Sequence, residues 1–410
     1  MSVRICAVRA WEILDSRGNP TIAVSCELSS GAKAKAHAPS GASTGRHEAL
    51  ELRDGDPARY RGKGVLKAVG NVNDILGPAV CGMHADDQRA LDERLIELDG
   101  TPDKSNLGAN AILAISCAVA RAAAIASGMP LWKYLAGTRT PRTVLPMVNI
   151  LSGGLHAGGN MEFQDFLAIP RGVDGIRKQV EAIVDIHRTA RQILDQHDYE
   201  LTGVADEGGW GPKLESNERA LAILTEAIDR SGHDCSIALD VAASHFYNDG
   251  EYLLTSENRR IDAAGMANLF EEWCKRYPIT SIEDPLDQDD WEGWRTLTAK
   301  LGSRIQIIGD DFFTTNLARL NRGIETGAAN AVLVKMNQIG TLTETFAVIE
   351  RAREAGYNAV ISARSGETED DFLADLAVAS GAGQIKVGSI TRSERLAKYN
   401  RLFEIETELP

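Results

Sequence analysis

The chain has 410 residues, 43% of them hydrophobic, and a formal net charge of −14 with an isoelectric point near 5.1. It is too long for one ordinary domain, although a β/α barrel alone can use about 250 residues. The acidic balance, with no basic run longer than a dipeptide, excludes an extended nucleic-acid surface, so any anionic substrate must be met by local cations or a metal.

The first residues, MSVRICAVRAWEIL, lack the apolar core of a signal peptide. The six cysteines show no paired spacing and read as reduced thiols of a cytoplasmic protein. ICAVRAWEILDSRGNPTIAVSCEL reads as two strands around the turn Ser16-Arg17-Gly18-Asn19-Pro20. AKAHAPSGASTGRHEALEL adds a third strand and a loop rich in glycine and serine. Helices are expected over 64–81, 86–98 and 109–127. The last is the most apolar segment, but it carries Arg121 among alanines and reads as a packed helix, with no membrane partner. Together these form a small α+β domain over 1–137, closed by the linker AGTRTPRTVLP.

The second domain, 138–410, opens on two strands, VLPMVNIL and MEFQDFLAIP, joined by SGGLHAGGN. That connection is too short for a crossover helix, so the two strands pair antiparallel. A helix over 175–197, the loop GVADEGGWGP and a helix ending near 231 come next. Six strand-helix units follow, spaced by about 25 residues from Glu283 onward. Two strands and six make the eight that close a barrel. The fold class is therefore α/β: an eight-stranded β/α barrel with two antiparallel opening strands and six β-α units, preceded by the small α+β domain.

The later strands end in reactive groups. SIALD ends at Asp240, ITSIED at Glu283 and Asp284, IQIIGDD at Asp310 and Asp311, and AVLVK at Lys335. NAVISARS ends at Arg364 and Ser365, and QIKVGS carries Lys386. A right-handed series of β-α units gathers all these tips on one rim. Asp240, Glu283 and Asp310 offer only oxygen, the donor set of a hard cation, most simply Mg²⁺. The plainer alternative is an acid-rich rim held apart by Lys335 and Lys386. A lysine beside a divalent cation and a second lysine has a depressed pKa, which makes Lys335 a candidate base. The plainer alternative there is a lysine paired with Asp310.

Seven stretches resemble the enolase family, and the similarity runs nearly end to end. They are PSGASTG (39–45), DEGGW (206–210), SIEDPL (281–286), GDDFFTTN (309–316), KMNQIGT (335–341), RSGETED (364–370) and RSERLAKYN (392–400). The resemblance implies a magnesium-dependent dehydration of a 2-phosphoglycerate-type substrate. It implies Asp240, Glu283 and Asp310 as metal ligands, and Ser43 as a ligand of a second Mg²⁺ that arrives with substrate. Lys335 would remove the C2 proton, and Glu207 would act as general acid at the C3 hydroxyl. Lys386 would meet the substrate carboxylate, and Arg364 and Ser365 its phosphorus group. His156, from the lid loop SGGLHAGGN, and Gln164 would be further substrate contacts. A homodimer acting on a phosphorylated or phosphonylated glycerate is the implied assembly and partner.

Three positions depart from the family pattern. Asp165, in FQDF, stands where the family has a catalytic-site glutamate; Ala363 replaces a histidine and Leu155 a serine. Asp165 keeps a catalytic carboxylate but withdraws it by about 1 Å, enough to matter for proton transfer. The residues of elimination are retained, while the surroundings of the hydroxyl and phosphorus ends are altered. Three readings remain. One is a specialised paralog that dehydrates an analogue with a bulkier group on phosphorus, such as the precursor of carboxyphosphonoenolpyruvate in phosphonate and phosphinate biosynthesis. The others are a housekeeping enolase and a non-catalytic homologue.

Overall fold

The structure is a computed structural model that describes residues 3–42, 44–201 and 203–409. Strands β1 (Ile5–Leu14), β2 (Pro20–Leu28) and β3 (Lys33–His37) form an antiparallel sheet. In the turn after β1, Asp15 Oδ1 accepts the N–H groups of Arg17 and Asn19, both at 2.8 Å. This is the local carboxylate bond that favours a turn over continued strand. The helix Ala109–Ala126 lies across β2 and β3, and its alanines let it approach the sheet closely. It is long and apolar enough to cross a membrane by composition, yet 83% of it is buried inside the protein. The helix expected over 64–81 is interrupted by a π-turn at Val72–Leu76. There Asn73 exchanges hydrogen bonds with the backbone of Ala10, at 2.9 and 3.1 Å, and ties the helix to β1.

The barrel comprises β4 (Leu145–Ser152), β5 (Asp165–Pro170), β6 (Cys235–Asp240) and, after an excursion, five more strands. The excursion is a small antiparallel sheet of β7 (Tyr247–Asn248), β8 (Glu251–Leu254) and β9 (Arg259–Ile261). Its turn signal, Asn248-Asp249-Gly250, is present in the sequence but was not among the expected elements. The remaining strands are β10 (Ile279–Glu283), β11 (Gln306–Gly309), β12 (Ala331–Val334), β13 (Asn358–Ser362) and β14 (Gly383–Gly388). The eight close in the order β10-β11-β12-β13-β14-β4-β5-β6. Only β5 runs backwards: it is antiparallel to β4 and β6, whereas β4 is parallel to β14.

Strand periodicity explains where the chemistry sits. Met147, Leu167, Ala238, Ile308, Leu333 and Val360 pack together as a separate core inside the barrel. Side chains alternate with period two, so the residue two positions further along shares that inward face. From Ala238, Ile308, Leu333 and Val360 the step leads to Asp240, Asp310, Lys335 and Ser362. Because β5 is reversed, its inward carboxylate at this rim is its first residue, Asp165. The outer helices are capped by side chains of their own sequence. Ser216, Asp262, Asp290, Asn316 and Thr341 each accept a first-turn N–H.

Candidate active site

Asp240, Glu283 and Asp310 come from neighbouring strands, and the register aligns Asp240 with Glu283 and Glu283 with Ile308. All three are buried. Lys386 crosses to them from β14: its Nζ donates to Asp240 Oδ2 at 2.6 Å and to both Glu283 oxygens at 2.8 Å. Lys335, one residue beyond β12, is ion-paired with Asp310 Oδ2. The other Asp310 oxygen accepts from Gln338 Nε2 at 2.9 Å. Asp284 acts differently: its carboxylate accepts the backbone N–H groups of Asp310 and Asp311, at 2.9 and 2.8 Å. It is a strut that fixes the strand-end turn from which Asp310 projects.

One ammonium serving two carboxylates splits them. Burial raises the Asp240 pKa, but Lys386 outweighs burial and holds it at about 2. For Glu283, burial and the facing Asp240 outweigh Lys386, and its pKa stands well above the ordinary carboxylate range. The depressed pKa expected of Lys335 rests on an adjacent divalent cation; the protein groups by themselves act in the other direction. Burial is the largest influence and lowers its pKa, but Asp310 and Glu283 together overcome it, and the net direction is upward. Lys335 is a charged partner of Asp310 in this arrangement.

These residues fit a divalent cation. Asp240, Glu283 and Asp310 are buried close enough to raise the pKa of Glu283, an excess of negative charge that Lys386 and Lys335 offset by direct contact. Gln164 donates from Nε2 to Asp240 at 3.1 Å, while its Oε1 is buried without a hydrogen-bond partner. Every donor is oxygen, the preference of Mg²⁺. Two other groups, Asp284 with Asp310 and Asp311, and His156 with Asp165 and Glu207, bring their possible ligand atoms within 4.8 Å of one another. Ser43, expected on a second cation, lies outside the described residues.

On the opposite side of the pocket, His156, Asp165 and Glu207 form a buried row. His156 Nδ1 is 3.1 Å from Asp165 Oδ2, and its Nε2 faces Glu207 Oε1 at 3.8 Å. Asp165 Oδ1 accepts from Ser152 Oγ at 3.2 Å and from Asn149 Nδ2. Asp165, expected as a catalytic carboxylate, is the inner member of this row. Its carboxylate is held by Asn149, Ser152 and His156, and it reaches the pocket wall only through the histidine. Burial lowers the His156 pKa, but Asp165 and Glu207 overcome burial and raise it to about 9. Burial raises Glu207, but His156 and then Arg395 overcome that, and its pKa is lowered.

The loop carrying Glu207 is held by close backbone approach. A Cβ at Gly208 would lie 2.5 Å from Thr391 Oγ1, and one at Gly209 would lie 2.8 Å from both Asn149 Oδ1 and Ser152 Oγ. Larger residues would therefore push Glu207 away from the site. Trp210 anchors the loop: its Nε1 donates to the His187 carbonyl at 2.8 Å, and the two rings stack with centroids 4.6 Å apart.

Arg364 and Ser365 line the same pocket beside Ala363. The Arg364 guanidinium is already engaged by Glu48, at 3.0 and 3.2 Å, and by Asn337 Oδ1 at 2.9 Å. Glu48 Oε1 also accepts the N–H of Gly45, at the end of the 39–45 loop, at 2.9 Å. Arg395 braces the segment from behind, donating to the carbonyls of Arg364 at 2.6 Å, Val387 at 3.0 Å and Ser365 at 2.7 Å.

Residues 5–135 match the family description "Enolase, N-terminal domain" and residues 142–410 match "Enolase, C-terminal TIM barrel domain". The chain belongs to the enolase family. With that membership comes the coarse activity, a magnesium-dependent hydro-lyase of the enolase type. Sequence reasoning missed the supporting residues of this enolase site. Gln338 and Arg395 fall inside the motifs KMNQIGT and RSERLAKYN, but strand periodicity gives none of Asn149, Ser152, Glu48, Gln338 and Arg395 a role, because each acts by holding another side chain or backbone group of the site.

Proposed function

We propose that this enolase-family protein dehydrates a 2-phosphoglycerate analogue with a larger or differently charged substituent on phosphorus. Its product would be an enolpyruvate of the carboxyphosphonoenolpyruvate kind. The observation that carries the reading is the altered wall opposite the lysines: Asp165 is withdrawn onto His156, and Ala363 lines the pocket as a single methyl group. The space lined by His156, Ala363, Lys335 and Lys386 is ≈ 10 Å³, about one water. Substrate enters when the lysine ion pairs open.

Asp240, Glu283 and Asp310 would hold a divalent cation, which would supply positive charge where the substrate carboxylate becomes more anionic. Lys335, released from Asp310 and deprotonated, takes the proton from C2. Lys386 turns from Asp240 and Glu283 to the substrate carboxylate. Glu207 must carry a proton to aid departure of the C3 hydroxyl, yet here it is held ionised. The charged His156, 3.8 Å from Glu207, is what favours the ionised form, so Glu207 takes up its proton when substrate binding weakens that pairing. Arg364 and Ser365 receive the phosphorus group.

The test is steady-state turnover of 2-phosphoglycerate with Mg²⁺, followed by enolpyruvate absorbance, in the wild type and in Asp165→Glu with Ala363→His. Poor wild-type turnover that rises in the double variant supports the reading. Each positioned acid-base group is worth about 10²–10⁴-fold, so the gain is readily measured. Wild-type turnover at the level of an ordinary enolase would overturn it in favour of the housekeeping activity.

A further inference from the structure

The turn between β1 and β2 reaches across to the rim. Arg17 Nη1 donates to Ser365 Oγ at 3.2 Å, and Nη2 donates to the carbonyls of Ser40 and Gly41, both at 3.2 Å. The backbone N–H of Ala42 donates to the same Ser365 Oγ at 2.7 Å. Ser40 and Gly366 exchange backbone hydrogen bonds at 2.8 Å in each direction, and Ser16 N donates to the Glu367 carbonyl at 2.7 Å. The approach is close enough to require glycine. A Cβ on Gly366 would lie 2.5 Å from Asp15 Oδ2, 2.6 Å from the Ser40 carbonyl and 2.7 Å from Arg17 Nη2.

A hydroxyl has two acceptor lone pairs and one hydrogen to donate. At Ser365 both lone pairs are taken, by Arg17 and by Ala42. What remains is the hydrogen, and Ser365 stands in the pocket wall next to Arg364. The charge of Arg17 is balanced by Asp15, whose Oδ2 lies 3.6 Å from Nη2 as an ion pair without a hydrogen bond, and the arginine's Nε is buried without a hydrogen-bond partner. Its fork is spent on a pocket hydroxyl and on the start of the 39–45 loop.

We propose that Arg17 is a positioning residue for the anionic phosphorus group of the substrate, fixing Ser365 as a hydrogen-bond donor and registering residues 40–42 against it. The proposal rests on the reading of Arg364 and Ser365 as the phosphorus end of the site. Lysine is not a substitute. A single ammonium on a flexible stem lacks the planar fork that reaches Ser365 Oγ and two carbonyls at once.

Calorimetric titration of inorganic phosphate into the full-length, Mg²⁺-loaded protein tests this, with a melting curve to establish that each variant is folded. Arg17→Lys is expected to weaken phosphate about tenfold, as for loss of one hydrogen bond to an anion, and to leave Mg²⁺ affinity unchanged. Ser365→Ala, which leaves Arg17 in place, is expected to weaken phosphate by a similar factor. In the Arg17→Lys background it should add little, because the two residues act as one unit. A Ser365→Ala effect of equal size in both backgrounds, or phosphate binding unchanged by Arg17→Lys, would overturn the role of Arg17 and leave the phosphorus end intact. A wild type that binds no phosphate at millimolar concentrations would remove the phosphorus-end reading itself, and this proposal with it.

Discussion

Lys335 and Lys386 occupy similar rim positions but hold different partners, and that difference supports the separate roles proposed for them. Lys386 bridges Asp240 and Glu283, whereas Lys335 has one carboxylate, Asp310. Lys335 is thus the lysine freed by a single exchange of partner. Lys335→Ala is expected to abolish deuterium uptake at substrate C2 in D₂O while leaving Mg²⁺ binding in place; exchange at the wild-type rate would end its assignment as base. Asp310 and Asp284 make a matched contrast. Asp310 presents its carboxylate to Lys335 and Gln338, but Asp284 spends both oxygens on backbone N–H groups. Asp310→Asn should therefore cut Mg²⁺ affinity far more than Asp284→Asn, whose loss should appear in the melting temperature. Equal Mg²⁺ affinities in the two variants would contradict this division.

At the scale of elements, the 203–211 loop depends on a histidine outside the site. Burial of His187 lowers its pKa from the ordinary 6.5 to about 4, with its Nε2 3.3 Å from the Gly208 carbonyl. The folded protein keeps this ring neutral, while the unfolded chain protonates it near 6.5. Its contribution to stability is present above that pH and is lost as the pH falls from 6.5 towards 4. The loss amounts to at most about 3 kcal/mol. His187→Gln should flatten the acid limb of a stability–pH curve measured by urea unfolding. An unchanged slope in that window would show that the loop is not anchored this way. The neighbouring stack on Trp210 gives the same region a second readout in tryptophan fluorescence.

For the whole molecule, the rim concentrates buried negative charge at the junction of two domains. The small domain is clamped there by Arg121, whose Nη2 lies 2.8 Å from both Asp370 and Asp371, and by the 2.8 Å backbone pairing of Ser40 with Gly366. A cation that binds only the folded rim stabilises everything the rim holds together. Excess Mg²⁺ is therefore expected to raise the melting temperature; binding at a hundred times Kd stabilises by about 2.7 kcal/mol. EDTA should reverse the shift, and a melting temperature indifferent to both would remove the metal argument.

The strand tips were legible because barrel strands are short apolar runs of period two that end abruptly in charge. Asp240, Glu283, Asp310, Lys335 and Lys386 could each be named from that pattern alone. The short SGGLHAGGN connection likewise dictated the antiparallel step, since no crossover helix fits in it. Which partner each group takes was decided only by the tertiary structure. Against burial, the protein groups around Lys335 raise its pKa, Asp310 foremost among them. Asp165 serves His156 because Asn149 and Ser152, from the preceding strand, hold its carboxylate. Arg17 stands 348 residues from Ser365 in sequence and 3.2 Å away in space. Local pattern determines which side chains reach the rim; pairing energies depend on burial and distance, and these exist only once the barrel has closed and the small domain has docked on it.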